Sequence, residues 1–278
     1  TVGVDPATVG VDPAIGEHYA GEIDESRRLV DGADGTSVAI RTLELLERML
    51  PPPPARVLEV GGGPGFYARR LTSAGYEVHL IDPVARHVEE ASEPGDLPAP
   101  ASAVVGDARH LDHPDGSFDA ALLLGPLYHL TDRADRLRAL TEARRVLAPG
   151  GIVAAAGITR FASALDGLDR GLIDDPAFVE IMRRDLAEGQ HRNPARTPTY
   201  FTTAFFHHPD QLRDELTEAG LAGVEVFAVE GVSWAARDLA ARLAAPERRA
   251  LVLEIVRATE TEPSLLGASP HLLATGRA

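Results

Sequence analysis

Three carboxylates in this chain close apolar runs, at intervals that suit a ligand carrying ribose and a base. Glu59 follows Arg56-Val57-Leu58 and opens Glu59-Val60-Gly61-Gly62-Gly63-Pro64-Gly65, a glycine-rich turn in which the lack of side chains lets backbone amides approach a ligand closely. Asp82 closes the next run, 21 positions beyond Gly61. That is close to the ~20 expected of an acid that accepts hydrogen bonds from ribose hydroxyls. Asp107 ends the third, within Gly106-Asp107-Ala108. It is placed to take the exocyclic amine of an adenine, while Ala108 supplies a backbone amide. Both acids also have a plainer reading, Asp82-Pro83 as a helix start and Asp107 as an N-cap. A glycine turn and two acids on successive strand ends are harder to explain as independent caps.

These residues need strands to end on and helices to follow. Apolar runs at Arg56 to Val60, Tyr76 to Asp82, Ser102 to Gly106, Phe118 to Leu124 and Ile152 to Ala156 read as strands. Helical stretches at Phe66 to Ala74, Val84 to Ala91 and Arg133 to Leu147 separate them, the last stopped by Pro149-Gly150-Gly151. The alternation over 56–157 predicts an α/β fold, a parallel sheet with helices on both faces. Ile15 to Leu50 has helical spacing and ends at Pro51 to Pro54, which form a stiff connector. After Gly157 the rhythm changes, with short helices predicted at Phe161 to Leu172 and Pro176 to Gln190. Helix Pro209 to Ala219, strand Val224 to Val229, helices Ala235 to Leu243 and Pro246 to Glu260 and strand His271 to Thr275 complete the chain. The expected organisation is a leader over 1–14, a helical cap over 15–54, a cofactor-binding half over 55–157, a lid insertion over 158–208 and the rest of the core over 209–278. Thr1 to Ala7 recurs unchanged as Thr8 to Ala14, a single duplication that cannot build a solenoid.

The combination resembles the class I S-adenosylmethionine-dependent methyltransferases. The matching residues are Glu59-x-Gly61-x-Gly63-x-Gly65, Asp82, Gly106-Asp107-Ala108, the exit Leu124-Gly125-Pro126-Leu127-Tyr128-His129-Leu130, and Leu147-Ala148-Pro149-Gly150-Gly151. They cover about residues 55–157. The resemblance implies a Rossmann-like seven-stranded sheet, mostly parallel, whose antiparallel last strand is His271 to Thr275. It implies S-adenosylmethionine as cofactor and S-adenosylhomocysteine as product. By position, Glu59, Gly61, Gly62, Gly63 and Gly65 lie against the methionine part, Asp82 and Pro83 at the ribose, and Asp107 and Ala108 at the adenine. Leu124-Gly125 lines the sulfonium end. A dinucleotide fold is disfavoured because Gly-x-Gly-x-x-Gly fails, Phe66 falling on the third glycine counted from Gly61 and Pro64 on the second counted from Gly62. Gly125-Pro126-Leu127-Tyr128 lacks the Asn/Asp-Pro-Pro-Tyr of enzymes that act on nucleobase amines.

Methyl transfer asks the protein mainly to align and desolvate its acceptor, and a base is needed where a hydroxyl, phenol or ammonium must lose a proton. His129 is the first candidate for that base, with Tyr128 orienting it or walling the pocket; local packing is the plainer reading of both. His18 and Tyr19 reach the same site if the cap folds over the cofactor, His18 as a catalytic group and Tyr19 against the cofactor. In the insertion, Arg192, Tyr200 and Phe205 are the substrate-side candidates, among residues that otherwise simply dock the insertion. His207-His208 is a poor metal site, since adjacent residues seldom converge on one ion, and no metal is expected.

Composition narrows the partners. There is no cysteine, which excludes thiolate catalysis, and all 27 basic residues are arginine, which excludes lysine Schiff bases. A formal charge of -15 argues against nucleic acid or an anionic membrane. No run reaches the ~18 apolar residues of a membrane span and no signal-peptide pattern opens the chain, so a cytoplasmic bacterial protein is expected. The expected function is methyl transfer to an O or N atom of a small-molecule metabolite. The alternative is a noncatalytic S-adenosylmethionine-binding or S-adenosylhomocysteine-binding regulator on the same fold.

Overall fold

The structure is a computed structural model that describes residues 32–197 and 199–278. His18, Tyr19 and the duplicated heptapeptide lie outside the described residues. Seven strands form one sheet, β1 (Arg56–Val60), β2 (Glu77–Asp82), β3 (Ser102–Val105), β4 (Phe118–Leu123), β5 (Leu147–Ile158), β8 (Ala222–Ala228) and β9 (His271–Arg277), in the order β3-β2-β1-β4-β5-β9-β8. β1 to β5 pair in parallel, and β9 runs antiparallel to both β5 and β8. The order reverses at β1 and β4, which opens a crevice at the carboxyl ends of those two strands.

Alternating side chains divide the core. Leu58, Val60, Ala121, Leu123, Val153, Ala155, Leu272 and Ala274 face helices α5 (Arg133–Arg145) and α8 (Pro209–Glu218). Val57, Leu80, Ala120, Leu122, Ala154 and Leu273 face α1 (Gly32–Met49), α2 (Phe66–Ser73) and α3 (Ala85–Ser92). Helix α4 (Pro126–His129) follows β4. Between β5 and α8 lie α6 (Ala162–Asp169), α7 (Pro176–Glu188) and a two-stranded ribbon, β6 (Gln190–His191) with β7 (Ala204–Phe205). Helices α9 (Leu239–Ala244), α10 (Pro246–Thr259) and α11 (Pro263–Leu266) connect β8 to β9.

Two local expectations are corrected. Pro149-Gly150-Gly151 does not precede β5 but lies inside it, because Gly150 N–H donates to the Ala278 carbonyl at 3.0 Å and Ala278 N–H to the Gly151 carbonyl at 2.9 Å. The extra residues are absorbed by a register shift against β4 between Phe118 and Ala120. The helix expected over Ala235 to Leu243 splits into a short 3-10 turn, Ser233–Ala235, and α9, with Asp238 at φ 53° between them.

Buried ion pairs join distant elements. Arg41 of α1, fully buried, pairs with Glu44 and Glu260 and donates from Nε to the Val229 carbonyl at 3.1 Å. Arg136 of α5 pairs with Glu215 of α8 at 2.7 Å, and Glu215 meets His207 Nε2 at 3.3 Å. Burial pushes the Glu215 carboxyl up, but His207 and the Arg136 guanidinium outweigh it and bring it down to about 2. Burial lowers His207 and leaves its ring neutral near pH 7.

Candidate active site

The glycine turn carries the chain from β1 into α2 and leans on the β4 exit. Gly61 has φ +69°, and a Cβ there would come 2.9 Å from the Pro126 ring. A Cβ on Gly62 would sit 2.7 Å from a Leu80 methyl and 3.0 Å from the Glu59 carboxyl carbon. Gly65, at φ +84°, is the N-cap residue of α2. The cradle therefore has room for backbone and none for side chains at these positions. Gly125 closes its far side, where an added Cβ would lie 3.1 Å from the Gly61 carbonyl oxygen. Leu124 packs half-buried against the α1–α2 face of the core.

Beneath the cradle, Glu59 is 1% exposed, and neither carboxylate oxygen makes a hydrogen bond of ordinary geometry. Burial pushes its carboxyl up to about 8, the Ala68 amide offsetting part of that shift and the Asp82 charge adding to it. Such a group is mostly protonated near pH 7, and a cation placed against it would favour its ionised form.

The two strand-end acids are already engaged. Asp82, buried, accepts from Gly63 N–H at 2.8 Å, Val84 N–H at 2.9 Å and His87 Nδ1 at 3.1 Å. It fixes both the glycine turn and the start of α3. A carboxylate has about four acceptor sites, so one is left for a ribose hydroxyl. Asp107 is held more completely. Its Oδ1 accepts from the Arg109 backbone at 2.8 Å and from Arg109 Nε at 3.0 Å, and its Oδ2 from Nη2 at 2.5 Å. Arg109 also reaches Asp135 at 2.8 Å. The adenine contact expected of the Asp107 carboxylate meets this competing guanidinium, while Ala108 follows it as a buried residue. Pro83 sits between Asp82 and Val84, half-buried.

On the acceptor side, Tyr128 is buried and donates to the Leu124 carbonyl at 3.2 Å. His129 lies edge-on to it at 4.7 Å and stacks on Phe201 at 5.9 Å and 26°. Phe201, Phe206, Ala204 and Ile158 complete this apolar group. The three substrate-side candidates of the insertion are spent on packing. Arg192 donates to the carbonyls of His191 at 2.7 Å and Ala204 at 3.1 Å. Tyr200 bonds Asp175 and packs on Phe178 and Ile181. Phe205 lies under the Arg136 guanidinium at 3.7 Å and lines a cavity of about 350 Å³ between α5, α8 and the ribbon, with Thr131, Gln190, Gln211 and Glu215. An aromatic-rich insertion needs its own core, and these side chains supply it. Phe201 is the insertion residue whose ring stacks on His129 at the β4 exit, and composition does not distinguish it from Tyr200 or Phe205.

A reversal point in an α/β sheet, a side-chain-free cradle and acids on successive strand ends define a nucleoside-cofactor protein of the Rossmann-like class. Residues 57–151 match the methyltransferase domain family. Over 187 residues the chain is 31% identical to a malonyl-acyl-carrier-protein O-methyltransferase of Geobacter sulfurreducens, covering 65% of this chain and 61% of that protein. Over 110 residues it is 34% identical to an uncharacterized methyltransferase of Mycobacterium bovis, covering 39% of this chain and 42% of that one. The chain thus spans less than two thirds of these relatives' lengths. A solved S-adenosylmethionine-dependent methyltransferase from Mesorhizobium loti has the same fold, with a TM-score of 0.57 and 21% identity over 89% of this chain and 100% of that one. Residues 57–151 thus carry a methyltransferase-domain match, and the chain is similar in sequence and fold to class I S-adenosylmethionine-dependent methyltransferases. The domain match and the shared fold imply S-adenosylmethionine as cofactor and S-adenosylhomocysteine as product. The residues present fit that group: a cradle that a Cβ would fill, and beneath it a buried carboxyl whose oxygens lack a hydrogen bond of ordinary geometry. Among the described residues there is no cluster suited to a metal, and no helix is long and apolar enough to cross a membrane.

Proposed function

We propose that this chain moves the methyl group of S-adenosylmethionine to an O or N atom of a small-molecule metabolite. The observation that carries this reading is the meeting of the glycine cradle with the β4 exit, Gly61 against Pro126, beside the aromatic wall of Tyr128, His129 and Phe201. The cofactor supplies an activated methyl on a good leaving group. The chain's part is to bind, align and exclude water. In this reading Glu59, Gly61, Gly62, Gly63 and Gly65 hold the methionine end, Asp82 and Pro83 the ribose side, Ala108 and Asp107 the base, and Leu124-Gly125 the sulfonium end. Tyr128 and His129 wall the acceptor. The charge of -15 favours a small acceptor over nucleic acid. The name of the Geobacter relative supports an oxygen acceptor.

The test is transfer of labelled methyl from S-adenosylmethionine into a deproteinised bacterial extract, with mass analysis of the product. Binding without transfer to any component would favour the noncatalytic regulator. No binding by calorimetry would refute both.

A further inference from the structure

A second carboxylate with a histidine stands at the same sheet edge. Glu230, two residues past β8, is 5% exposed. Its Oε2 accepts from Ser269 Oγ at 3.1 Å and from His271 N–H at 3.1 Å, and its Oε1 is bound by His271 Nδ1. Burial pushes the Glu230 carboxyl up, yet the facing imidazole and these donors outweigh it and hold it below the usual carboxylate range, so it is ionised. With the carboxylate accepting at Nδ1, Nε2 is the ring nitrogen turned away from Glu230 and toward any other partner. The His271 side chain is 32% exposed, and Nε2 makes no hydrogen bond among the described residues.

The register places this imidazole. His271 opens β9 directly opposite Ile158 of β5, and Leu273 lies opposite Ala156. Opposed residues share a face, and so do residues two apart on a strand. Leu273, Ala156 and Leu124 all pack on the α1–α2 side of the sheet. Leu124 at the β4 exit, Ala156 near the end of β5 and His271 at the start of β9 therefore follow one another along the carboxyl edge. Ile158, beside His271, packs with Tyr128 and Phe206. Two strand spacings, about 10 Å, separate β4 from β9. That is the span of a small acceptor lying between the cradle and the imidazole.

We propose that His271, oriented by Glu230, is the base that removes the acceptor's proton during methyl transfer. The inference rests on the methyl-transfer reading above and transfers the role from His129, whose ring is stacked in the wall, to a histidine held by a carboxylate. As the acceptor atom bonds to the methyl carbon, the carbon–sulfur electron pair leaves with the thioether product. The acceptor's O–H or N–H proton passes to Nε2, and the imidazolium so formed faces the Glu230 carboxylate. This narrows the acceptor to a hydroxyl, phenol or ammonium, a group that must lose a proton.

The experiment compares wild type with His271→Ala and His271→Asn, using labelled S-adenosylmethionine with the extract and then the purified acceptor. Asparagine keeps a donor for Glu230 but has no titrating nitrogen. Both variants should bind S-adenosylmethionine within twofold of wild type and transfer methyl about a hundredfold more slowly. Free imidazole should restore part of the rate to His271→Ala. Wild-type rates in either variant overturn the base and leave the methyl-transfer reading standing. Loss of cofactor affinity in step with rate, without rescue by imidazole, assigns a structural role and also overturns it. No transfer by wild type overturns the reading and the base together.

Discussion

Replacing Asp82 should show that one carboxylate both builds the cradle and holds the cofactor. In Asp82→Ala, the N–H groups of Gly63 and Val84 and the Nδ1 of His87 lose their acceptor in a site where Asp82 itself is 4% exposed. Hydrogen bonds to a charged group contribute roughly 1.5–3 kcal/mol each, and donors on one acceptor are not additive, so a loss of about 3–4 kcal/mol is expected. At roughly 2–4 °C per kcal/mol for a domain of this size, Tm should fall by about 6–16 °C. The ribose contact adds a loss of about tenfold to a hundredfold in S-adenosylhomocysteine affinity. Asp82→Asn sharpens the test. Its amide has one acceptor oxygen for donors that bind both Asp82 oxygens, so its NH2 must face a backbone N–H. It should therefore lose nearly as much stability as alanine. Differential scanning calorimetry with and without S-adenosylhomocysteine, together with titration calorimetry, separates the two effects. A melting temperature within about 2 °C of wild type, alongside weakened binding, would refute the cradle role, and unchanged affinity would refute the ribose role.

Two further substitutions probe buried charge. The Glu59 carboxyl is pushed up to about 8 in the fold from an ordinary 4.5, so the folded chain binds the extra proton and stability is lost as pH rises from about 4.5 through 8. Glu59→Gln should remove that loss, raising Tm at pH 8 by more than at pH 5; parallel pH profiles for the two proteins would show that Glu59 ionises normally. Glu215 is held at about 2, and its contribution is present above about 4.5 and lost as pH falls toward 2. Glu215→Ala strands the Arg136 guanidinium, 2% exposed, and should cost about 3–5 kcal/mol at pH 7, read as a shift in urea midpoint at unchanged m-value. A shift below about 1 kcal/mol would show that water reaches the pair.

Much of the sheet was legible because its strands are short apolar runs ended by glycine or acid, and such runs have few other ways to be buried. Pro149-Gly150-Gly151 misled because the chain end that pairs with it lies more than a hundred residues away, and local turn chemistry carries no trace of that partner. Glu59, Asp82 and Asp107 stood out by the rule that an acid closing an apolar run next to a turn has work to do. The same rule applied to Val224 to Val229 points to Glu230, but nothing local joins Glu230 to His271, 41 residues on. Arg109 was hidden for a different reason. Two residues after Asp107, it reads as a solvated charge until side-chain geometry shows the fork. The insertion was the least legible part, since aromatic and polar residues that build a small core have the same composition as those that line a pocket.

The anchoring of α1 sets an order of events during synthesis. Arg41 finds its carbonyl partner 188 residues later, at Val229, and its carboxylate partner 219 residues later, at Glu260; Arg48 also pairs with Glu260, at 2.7 Å, and Glu44 with Arg257. Until Glu260 has left the ribosome, this guanidinium has only Glu44 of its own helix as a carboxylate partner, and burial would leave the remaining donors unmet. The first helix described therefore docks in full only after α10 has emerged, and the strands behind it assemble with that flank open, exposed to chaperones or to misassembly, until then.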